Sequence, residues 1–545
     1  MTGKELSWYK EAVFYEVYIR AFKDGNGDGH GDLIGLTQEL DYIKDLGVDC
    51  LWISPMYPSP LRDDGYDISD YYNIHPDYGT LDDFKYFVSE AKRRGIRIIT
   101  DLVMNHTSDQ HPWFQEARKS KENPYRDWYV WSDSDEKYSG TRIIFLDTEP
   151  SNWSYDEEAG QYFWHRFYRT QPDLNWDNPA VKEEFKNIAR FWLSLGLAGF
   201  RADAVPYLIE REGTSCENLP ETHEILKEFR AFMDEEFPGT ILLGEANMWP
   251  WDLRPYFGDG DEFQMCFLFP VMPRLFMAIK KGEVKDIIDI MERTPEIPED
   301  CQWCTFLRNH DELTLEMVTE EERQWMWEQY APDDRMRLNL GIRRRLSPLL
   351  ENDRRKLELM NVMLFSLPGS PILYYGDEIG MGDNIWLFDR NGVRTPMQWN
   401  TKKNAGFSSA EETYVPVIDD QDYGYQAVNV EDRMADESSL WHWSKHLIAL
   451  RKAHPAFSRG SYVFLETENS SVLAILRECG DEVILVLGNF SDQEQVVRVH
   501  MPEYWGCEKL ELFTGISHGF SGDEFHRSLL GPYEYQWLLV KPCEK

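Results

Sequence analysis

The pattern that most constrains this chain is a short apolar strand followed by a polar loop and an amphipathic helix, repeated through its first two-thirds. After the first strand, for example, Leu36, Leu40, Ile43 and Leu46 recur at helical spacing, and Gly47 is a stop signal. Strands that alternate with helices pair in parallel, and eight such units close into a barrel. We therefore predict an α/β fold, a (β/α)8 TIM barrel, with strands near residues 12–18, 50–53, 96–103, 199–205, 240–244, 264–269, 304–307 and 371–375.

Two regions depart from this alternation of strands and helices. Between His106 and about Pro179 no clean helical pattern appears, only sequence rich in Trp, Tyr, Asp and Ser, which predicts a small domain inserted after the third strand. Beyond about Phe457, short alternating runs replace the helical period and predict a C-terminal antiparallel β-sandwich. The predicted domains are the catalytic barrel at 1–106 and 180–456, the inserted domain at 107–179 and the sandwich at 457–545.

The charge of the chain excludes several classes of partner. Lys and Arg total 57 against 96 Asp and Glu, a formal net charge of −39. Such a surface repels nucleic acid and anionic membrane, whereas a neutral small molecule is not repelled. No apolar run approaches the ~20 residues of a membrane span, and no apolar signal region follows the N-terminus. We therefore expect a cytoplasmic protein, with a homo-oligomer as a possible assembly.

The eight cysteines are dispersed along the chain, which argues against a disulfide scaffold. Cys301 and Cys304 form one CxxC motif, but no second pair accompanies it, as a structural zinc site would require. We interpret both as reduced thiols.

Charged residues gather where four of the predicted strands end. The four segments are Asp101 to His106, Gly199 to Asp203, Gly244 to Asn247 and Arg308 to Asp311. The carboxyl ends of barrel strands form one face, where such enzymes place their reacting groups. A cap or a salt bridge accounts for any one of these acids, but a shared site accounts for the whole set.

These four segments, in this order, resemble the four sequence regions of the α-amylase family of retaining glycoside-active enzymes, and the resemblance covers nearly the whole chain. It implies that Asp203 is the nucleophile, Glu245 the general acid/base and Asp311 the acid that stabilises an oxocarbenium-like transition state. It further implies that Arg201 keeps Asp203 ionised and that two histidines bind hydroxyls of the reacting glucose, namely His106 and His310.

The chemistry itself requires such a set. Cleaving a glycosidic bond with retention needs one carboxylate that attacks C1 and one carboxylic acid that protonates the leaving oxygen, about 5 Å apart. The two groups must hold different protonation states at one pH, which their neighbours impose. We expect Arg201 to act on Asp203 in this way, and acidic surroundings to act on Glu245.

The segment Asp63-Asp64-Gly65-Tyr66 precedes the second predicted helix. In relatives that act on the non-reducing end of short α-glucosides, a matching Asp and Tyr close the far wall of the glucose pocket. The resemblance assigns this role to Asp63 and Tyr66, with Arg390 as the charge partner and Arg394 as the alternative. A simple turn is the other interpretation of the two aspartates.

Oxygen-bearing residues alternate with glycines early in the chain, as in a calcium-binding loop, although the twelfth-position Glu is missing. The residues are Asp24, Asn26, Asp28, His30 and Asp32, with His30 acting through its carbonyl in relatives. A solvated turn is the alternative. Residues 201–223 resemble the trehalose synthases, and this resemblance implies a second calcium site that ties the insertion to the barrel, formed by Asn105, Asp173, Glu210 and the carbonyls of Tyr207 and Leu208.

Within the family, residues 201–223, 308–317 and 376–384 resemble the trehalose synthases. This implies an intramolecular glucosyl transfer that interconverts maltose and trehalose through a glucosyl-Asp203 intermediate, with minor hydrolysis to glucose and no organic cofactor. A hydrolytic α-glucosidase with the same catalytic residues is the principal alternative. A catalytically dead binding subunit is a further one, but this chain keeps all three carboxylates.

Overall fold

The computed structural model describes residues 6–519 and 523–541. Residues 1–5, 520–522 and 542–545, at the ends of the predicted barrel and within the predicted sandwich, lie outside the described residues. Eight parallel strands form a closed barrel, as predicted, and the first strand pairs with both the second and the eighth. In chain order the barrel strands are Phe14–Val17, Cys50–Ile53, Arg97–Val103, Gly199–Asp203, Ile241–Gly244, Met265–Phe267, Gln302–Phe306 and Ser370–Tyr374.

The barrel strands are apolar almost throughout because side chains on both of their faces are buried. Several of the longer helices around them begin with recognisable side-chain caps. Thr80 forms a capping box with Asp83, and Asn178 caps a helix that has Pro179 in its first turn. The principal helices of the barrel domain are Leu33–Gln38, Leu40–Leu46, Leu81–Arg93, Pro179–Ser194, Pro220–Glu236, Val271–Lys281, Lys285–Glu292, Glu320–Tyr330, Arg354–Ser366 and Leu440–Ala453.

The first of these differs in detail from the prediction. The residues spaced over 36–46 belong to two short helices that meet at Glu39 rather than to one. Gly47 ends the second helix in a left-handed conformation, which glycine adopts without steric cost. Shorter helices elsewhere are Ile19–Phe22, Pro250–Leu253, Leu346–Leu349, Val430–Ala435 and Ala456–Arg459.

The insertion after the third barrel strand is a three-stranded antiparallel sheet of Trp131–Ser132, Gln161–Trp164 and Trp153–Asp156. It also contains a short helix, Pro112–Ala117, where the sequence showed no helical pattern. The apolar spacing of a helix is not recognisable here because this helix has only six residues. Its cap is also unusual, since the His111 ring takes the place of a Ser, Thr, Asn or Asp side chain. An isolated bridge between His106 and Asp173 joins the insertion to the end of the third strand.

The C-terminal region packs a six-stranded antiparallel sheet against a two-stranded one. The six-stranded sheet comprises Ser461–Phe464, Val472–Cys479, Glu482–Asn489, Tyr535–Val540, Lys509–Glu511 and Ser517–His518, and the two-stranded sheet comprises Gln495–His500 and Phe525–Leu530. Buried Val, Leu and Met side chains from both sheets fill the space between them. A small sheet of Leu313–Thr314, Gly341–Ile342 and Arg337–Leu338 follows the seventh barrel strand.

Two further predictions concern single features. Cys301 and Cys304 are buried free thiols. Over residues 6–519 and 523–541, no helix has the length and apolar composition needed to cross a bilayer.

Candidate active site

A pocket opens at the carboxyl ends of the barrel strands. Asp203 is the last residue of the fourth strand, Glu245 directly follows the fifth, and Asp311 lies in the loop after the seventh. Eight of the predicted site residues line the pocket together: Asp63, Tyr66, His106, Asp203, Glu245, His310, Asp311 and Arg390. Its remaining walls come from Phe145, Phe167, Ala204, Asn247, Phe269, Asn309, Glu312, Thr314 and Glu316.

Arg201 does not line the pocket but contacts two of its carboxylates. Its Nη1 lies 2.5 Å from Oδ1 of Asp203 and 2.5 Å from Oδ1 of buried Asp101, and its Nη2 pairs with Oε1 of Glu245. The parallel register sets Arg201 beside Asp101, and its own strand carries Asp203 two residues later. One buried guanidinium therefore lies between the candidate nucleophile and the candidate acid.

The two carboxyl groups titrate at different pH. Burial raises the pKa of Asp203 to about 6, although Arg201 opposes the rise. Burial raises the pKa of Glu245 to about 7, again against Arg201 and with help from the negative charges of Asp203 and Asp311. At a pH between these values Asp203 is mostly ionised and Glu245 mostly protonated, as a nucleophile and a general acid require.

The backbone bends sharply after the fourth barrel strand, which ends in Asp203. Ala204 adopts φ 52°, a left-handed conformation that is uncommon for a residue with a Cβ. In this bend its N–H donates to Oε2 of Glu245 over 3.2 Å. The strained turn thus orients the Glu245 carboxyl, and strain of this kind is concentrated at functional sites.

Asp311 is held by three cations. Its Oδ2 lies 3.0 Å from Nε2 of His310, and its Oδ1 lies 2.7 Å from Nη1 of Arg390 and 3.2 Å from Nη2 of Arg394. Burial alone would raise the pKa of Asp311, but these cations outweigh it and hold the pKa well below its usual range. Asp311 is therefore ionised at neutral pH.

Tyr66 and the two predicted histidines form one hydrogen-bonded wall. The Tyr66 ring stacks on the His310 ring at 5.3 Å, and its hydroxyl lies 2.9 Å from Nε2 of His310. Nε2 of His106 lies 3.1 Å from the carbonyl of Tyr66. Burial lowers the pKa of His106 to about 4, so its ring is neutral and Nε2 donates to that carbonyl.

Both candidate arginines have partners in the Asp63-Asp64 segment. Arg390 Nη2 lies 2.7 Å from Oδ1 of Asp63, whereas Arg394 Nη1 lies 2.7 Å from Oδ2 of Asp64. Nε2 of Gln171, from the insertion, donates to the other oxygen of Asp63 over 2.8 Å. Arg390, rather than Arg394, is therefore the partner of Asp63. An aspartate in a simple turn would have no such buried partner, so this ion pair argues against the turn interpretation.

The first predicted calcium loop is closed by its own hydrogen bonds. The Asp24 carboxylate accepts the N–H groups of Asn26, Gly27 and Gly29 and the hydroxyl of Ser408. Asp28 accepts from the Asn26 amide and from the His30 N–H, and Asp32 caps the helix Leu33–Gln38 by accepting from Gly35. None of these side-chain oxygens is a buried atom without a partner. Calcium in this loop stays a prediction.

The second set is different. Oδ1 of Asn105, Oδ2 of Asp173 and Oε1 of Glu210 are all buried without a hydrogen-bond partner. Burial raises the pKa of Asp173 to about 8 and that of Glu210 well above its usual range, the latter with help from Asp173. Within the described ranges, no group of three or more His, Cys, Asp and Glu side chains is arranged for a metal ion. The present set does not conflict with this finding, because it contains only two carboxylates, and its third side chain is an amide. Three buried oxygens that lack a hydrogen-bond partner, two of them on carboxyl groups that can ionise, fit a hard cation such as Ca²⁺.

Several residues of the site were not expected from the sequence. Phe145 and Phe167 line the pocket from the insertion, and Gln171 holds Asp63. Glu16, in the first barrel strand, pairs with Nδ1 of His310. Glu16 could have been found from the sequence, because it is a charged residue inside an otherwise apolar strand. Phe145, Phe167 and Gln171 lie in irregular sequence, which gave no such signal.

Comparison with known proteins extends these observations. The model of the alpha-amylase catalytic domain matches residues 16–460, and that of the maltogenic amylase C-terminal domain matches residues 462–537. The trehalose synthase/amylase of Mycolicibacterium smegmatis is 56% identical over 98% of this chain and 93% of its own. The trehalose synthase of Pimelobacter sp. is 52% identical over 99% and 96% of the two chains.

More distant relatives share the fold. The oligo-1,6-glucosidase of Parageobacillus thermoglucosidasius is 32% identical over 98% of this chain and 100% of its own. The crystal structure of the trehalulose synthase from Pseudomonas mesoacidophila superposes with a TM-score of 0.80 at 29% identity, covering 98% of this chain and 99% of that one. The chain therefore belongs to the alpha-amylase family, and within that family it is an enzyme of the isomerising, glucosyl-transferring type.

Proposed function

We propose that the enzyme interconverts maltose and trehalose by a retaining double displacement within one active site. The observation that carries this proposal is a donor pocket whose far wall is closed by the Asp63–Arg390 ion pair, in a chain whose relatives at 52–56% identity are trehalose synthases. A closed wall admits one terminal glucose unit and excludes longer chains from that side.

In the first half-reaction, a carboxylate oxygen of Asp203 attacks C1 of the non-reducing glucosyl unit of maltose. The bond from C1 to the bridging oxygen breaks, and the Glu245 proton moves to that oxygen, so that glucose leaves as a neutral molecule. Asp203 then carries the glucosyl unit and Glu245 is ionised. The unequal pKa values of the two groups favour this starting state.

In the second half-reaction, the released glucose turns and its anomeric hydroxyl attacks C1 of the glucosyl unit. Glu245 accepts the hydroxyl proton, the bond to Asp203 breaks, and the α,α-1,1 linkage of trehalose forms. Two inversions at C1 give net retention. Because the acceptor is held in place, its effective concentration far exceeds that of free glucose.

The other pocket residues act on the glucosyl unit. Ionised Asp311 is placed to stabilise positive charge that develops on the ring in the transition state. His106, His310 and Tyr66 line the pocket beside the sugar, and Arg390 fixes the positions of Asp63 and Asp311.

Retention of the released glucose requires a cover on the acceptor side. Arg142 of the insertion lies 2.9 Å from Glu217, in the segment that follows the nucleophile strand. It also lies 3.1 Å from Glu316 and 3.3 Å from the hydroxyl of Tyr207. These contacts join the insertion to two barrel loops beside the pocket, and this closure supports transfer over hydrolysis because it excludes water.

Calcium belongs to the proposal as a structural ion. Asn105, Asp173 and Glu210, with the carbonyls of Tyr207 and Leu208, would hold it where the insertion meets the barrel. Bound there, the ion would supply positive charge to buried oxygens that have no other partner, and it would stabilise the junction rather than take part in the chemistry. The cytoplasmic location and a possible homo-oligomer stay predictions.

Hydrolysis is the competing activity, because an oligo-1,6-glucosidase and a probable alpha-glucosidase are among the relatives at 32–33% identity, and the mycobacterial relatives are named both synthase and amylase. Incubation with maltose alone, followed by product analysis from the earliest time points, distinguishes the two. We expect trehalose as the main product, glucose as the minor one, and little incorporation of added labelled glucose. Glucose as the dominant early product, or free incorporation of the label, would refute the proposal.

A further inference from the structure

A buried glutamate lies behind the pocket and has no assigned role. Glu16 is in the first barrel strand and is 1% exposed, and it does not line the pocket. Burying a carboxylate is costly unless a partner compensates for the lost hydration. Glu16 therefore needs a cation nearby.

That cation is His310. Nδ1 of His310 pairs with Oε1 of Glu16, while Oε2 of Glu16 is buried without a hydrogen-bond partner. In the described part of the chain, the Glu16 side chain has no other hydrogen bond. The ring is held on its other side as well, since Nε2 lies 3.0 Å from Asp311 and 2.9 Å from the Tyr66 hydroxyl.

Carboxylates thus face both ring nitrogens of His310. A neutral imidazole carries one proton and can donate to only one of them, whereas an imidazolium donates to both. Burial alone would lower the pKa of His310, but the charges and hydrogen bonds of Asp311 and Glu16 raise it to about 10.

Other groups also act on this ring. Asp101 and Glu245 lie within electrostatic range of it, and the Trp52 ring packs edge-on at 5.6 Å. Arg394 donates to the His310 carbonyl, and Arg390 reaches Asp311. The positive charges of these arginines disfavour protonation of the ring. The protonated state therefore depends on the flanking carboxylates of Glu16 and Asp311.

We propose that Glu16 is a positioning residue for glucosyl transfer: it keeps His310 protonated and oriented, so that Nε2 donates to Asp311 and the ring stays fixed beside the reacting sugar. This inference rests on the proposed function only for the identity of the sugar. Without Glu16, His310 would lose a proton near neutral pH and Asp311 would lose one of its three cations.

The first test observes the His310 ring directly. The chain has 13 histidines, so ¹³C-labelling of their rings gives a small set of NMR signals, and the signal absent from His310→Gln is that of His310. In the wild-type protein we expect His310 to remain protonated from pH 6 to 9. In Glu16→Gln we expect it to deprotonate within that interval.

The second test uses hydrolysis of 4-nitrophenyl α-D-glucoside, which does not depend on isomerisation. We expect the ratio of kcat in Glu16→Gln to kcat in the wild type to fall roughly tenfold between pH 6.5 and 8.5. Glu16→Asp keeps the charge and should restore most of the wild-type pH profile. A purely structural role would lower kcat equally at all pH values.

Glu262→Gln is the matched control, because Glu262 is a buried glutamate that pairs with another histidine, His223, over 2.8 Å. It should leave the His310 titration unchanged. If Glu16→Gln does not fold, the wild-type titration still decides, since a neutral His310 at pH 7 would overturn the inference. An unchanged His310 titration in folded Glu16→Gln would overturn it too. Failure to form trehalose from maltose would instead count against the proposed function alone.

Discussion

Arg390 connects Asp63, in the wall of the pocket, with Asp311, the acid proposed to stabilise the transition state. Its two terminal nitrogens lie 2.7 Å from Asp63 and 2.7 Å from Asp311, and its Nε lies 3.2 Å from the neighbouring Asp389. Replacement by methionine keeps most of the volume and removes the charge. Even with Arg390 in place, burial raises the pKa of Asp63 to about 7. The loss of Arg390 should therefore leave Asp63 protonated at neutral pH.

The size of the effect follows from these contacts. Removing one partner of a buried, hydrogen-bonded charge pair costs about 2–5 kcal/mol. At about 1.36 kcal/mol for each factor of ten, this corresponds to a loss of roughly 30- to 5,000-fold in kcat/KM. Arg394 still reaches Asp311 at 3.2 Å and compensates in part, so we expect a loss of roughly 100- to 1,000-fold for Arg390→Met. Arg390→Lys should lose less, because an ammonium keeps the charge but cannot form the fork that reaches both carboxylates.

The assay is kcat/KM for maltose and for 4-nitrophenyl α-D-glucoside, with circular dichroism to establish that each variant folds. Arg335→Met is the matched control, because Arg335 is a partly exposed arginine that stacks on Trp386 and pairs with Asp333, outside the pocket. It should keep kcat/KM within about twofold of the wild type. A folded Arg390→Met that retains more than a fifth of the wild-type kcat/KM would refute this account of the wall.

Three further predictions concern the acid pair and the metal. Asp203→Asn should fold normally and lose both transfer and hydrolysis, so measurable turnover in that variant would refute its assignment as the nucleophile. The kcat/KM of the free enzyme should be bell-shaped in pH, because activity needs ionised Asp203, which is lost as pH falls through about 6, and protonated Glu245, which is lost as pH rises through about 7. A flat profile from pH 5 to 8 would contradict this. Exhaustive chelation should lower the melting temperature of the wild type by more than that of Asp173→Asn, and an unchanged wild-type value with no calcium by elemental analysis would exclude the metal.

The barrel could be predicted because its signals are local. The strand Cys50–Ile53 has the predicted bounds, since it is a short apolar run between polar loops. Thr80 and Asn178 mark the starts of helices through their own side chains. The two short helices that meet at Glu39 were predicted as one because the apolar spacing continues across the junction, where the chain turns only slightly from helical geometry.

The site was predictable to the extent that its residues follow strand ends in sequence. The pairing of Arg201 with Glu245 as well as Asp203 depends on two strands lying side by side, and the choice between Arg390 and Arg394 depends on how a loop folds over the pocket. Glu16 contacts His310 only because the barrel is closed, with the first strand next to the eighth. No local pattern encodes such contacts.

The ion pair between Asp63 and Arg390 also has a consequence for how the enzyme is made. The two residues are 327 positions apart in the chain. At a synthesis rate of about 5–20 residues per second, roughly 16–65 s separate their emergence from the ribosome. Late in that interval the nascent chain contains Asp203 and Glu245 but not Arg390, so the wall of the pocket is not yet closed. We therefore expect a partly made chain to lack a complete pocket, because Arg390, which pairs with Asp63, lies in the last third of the chain.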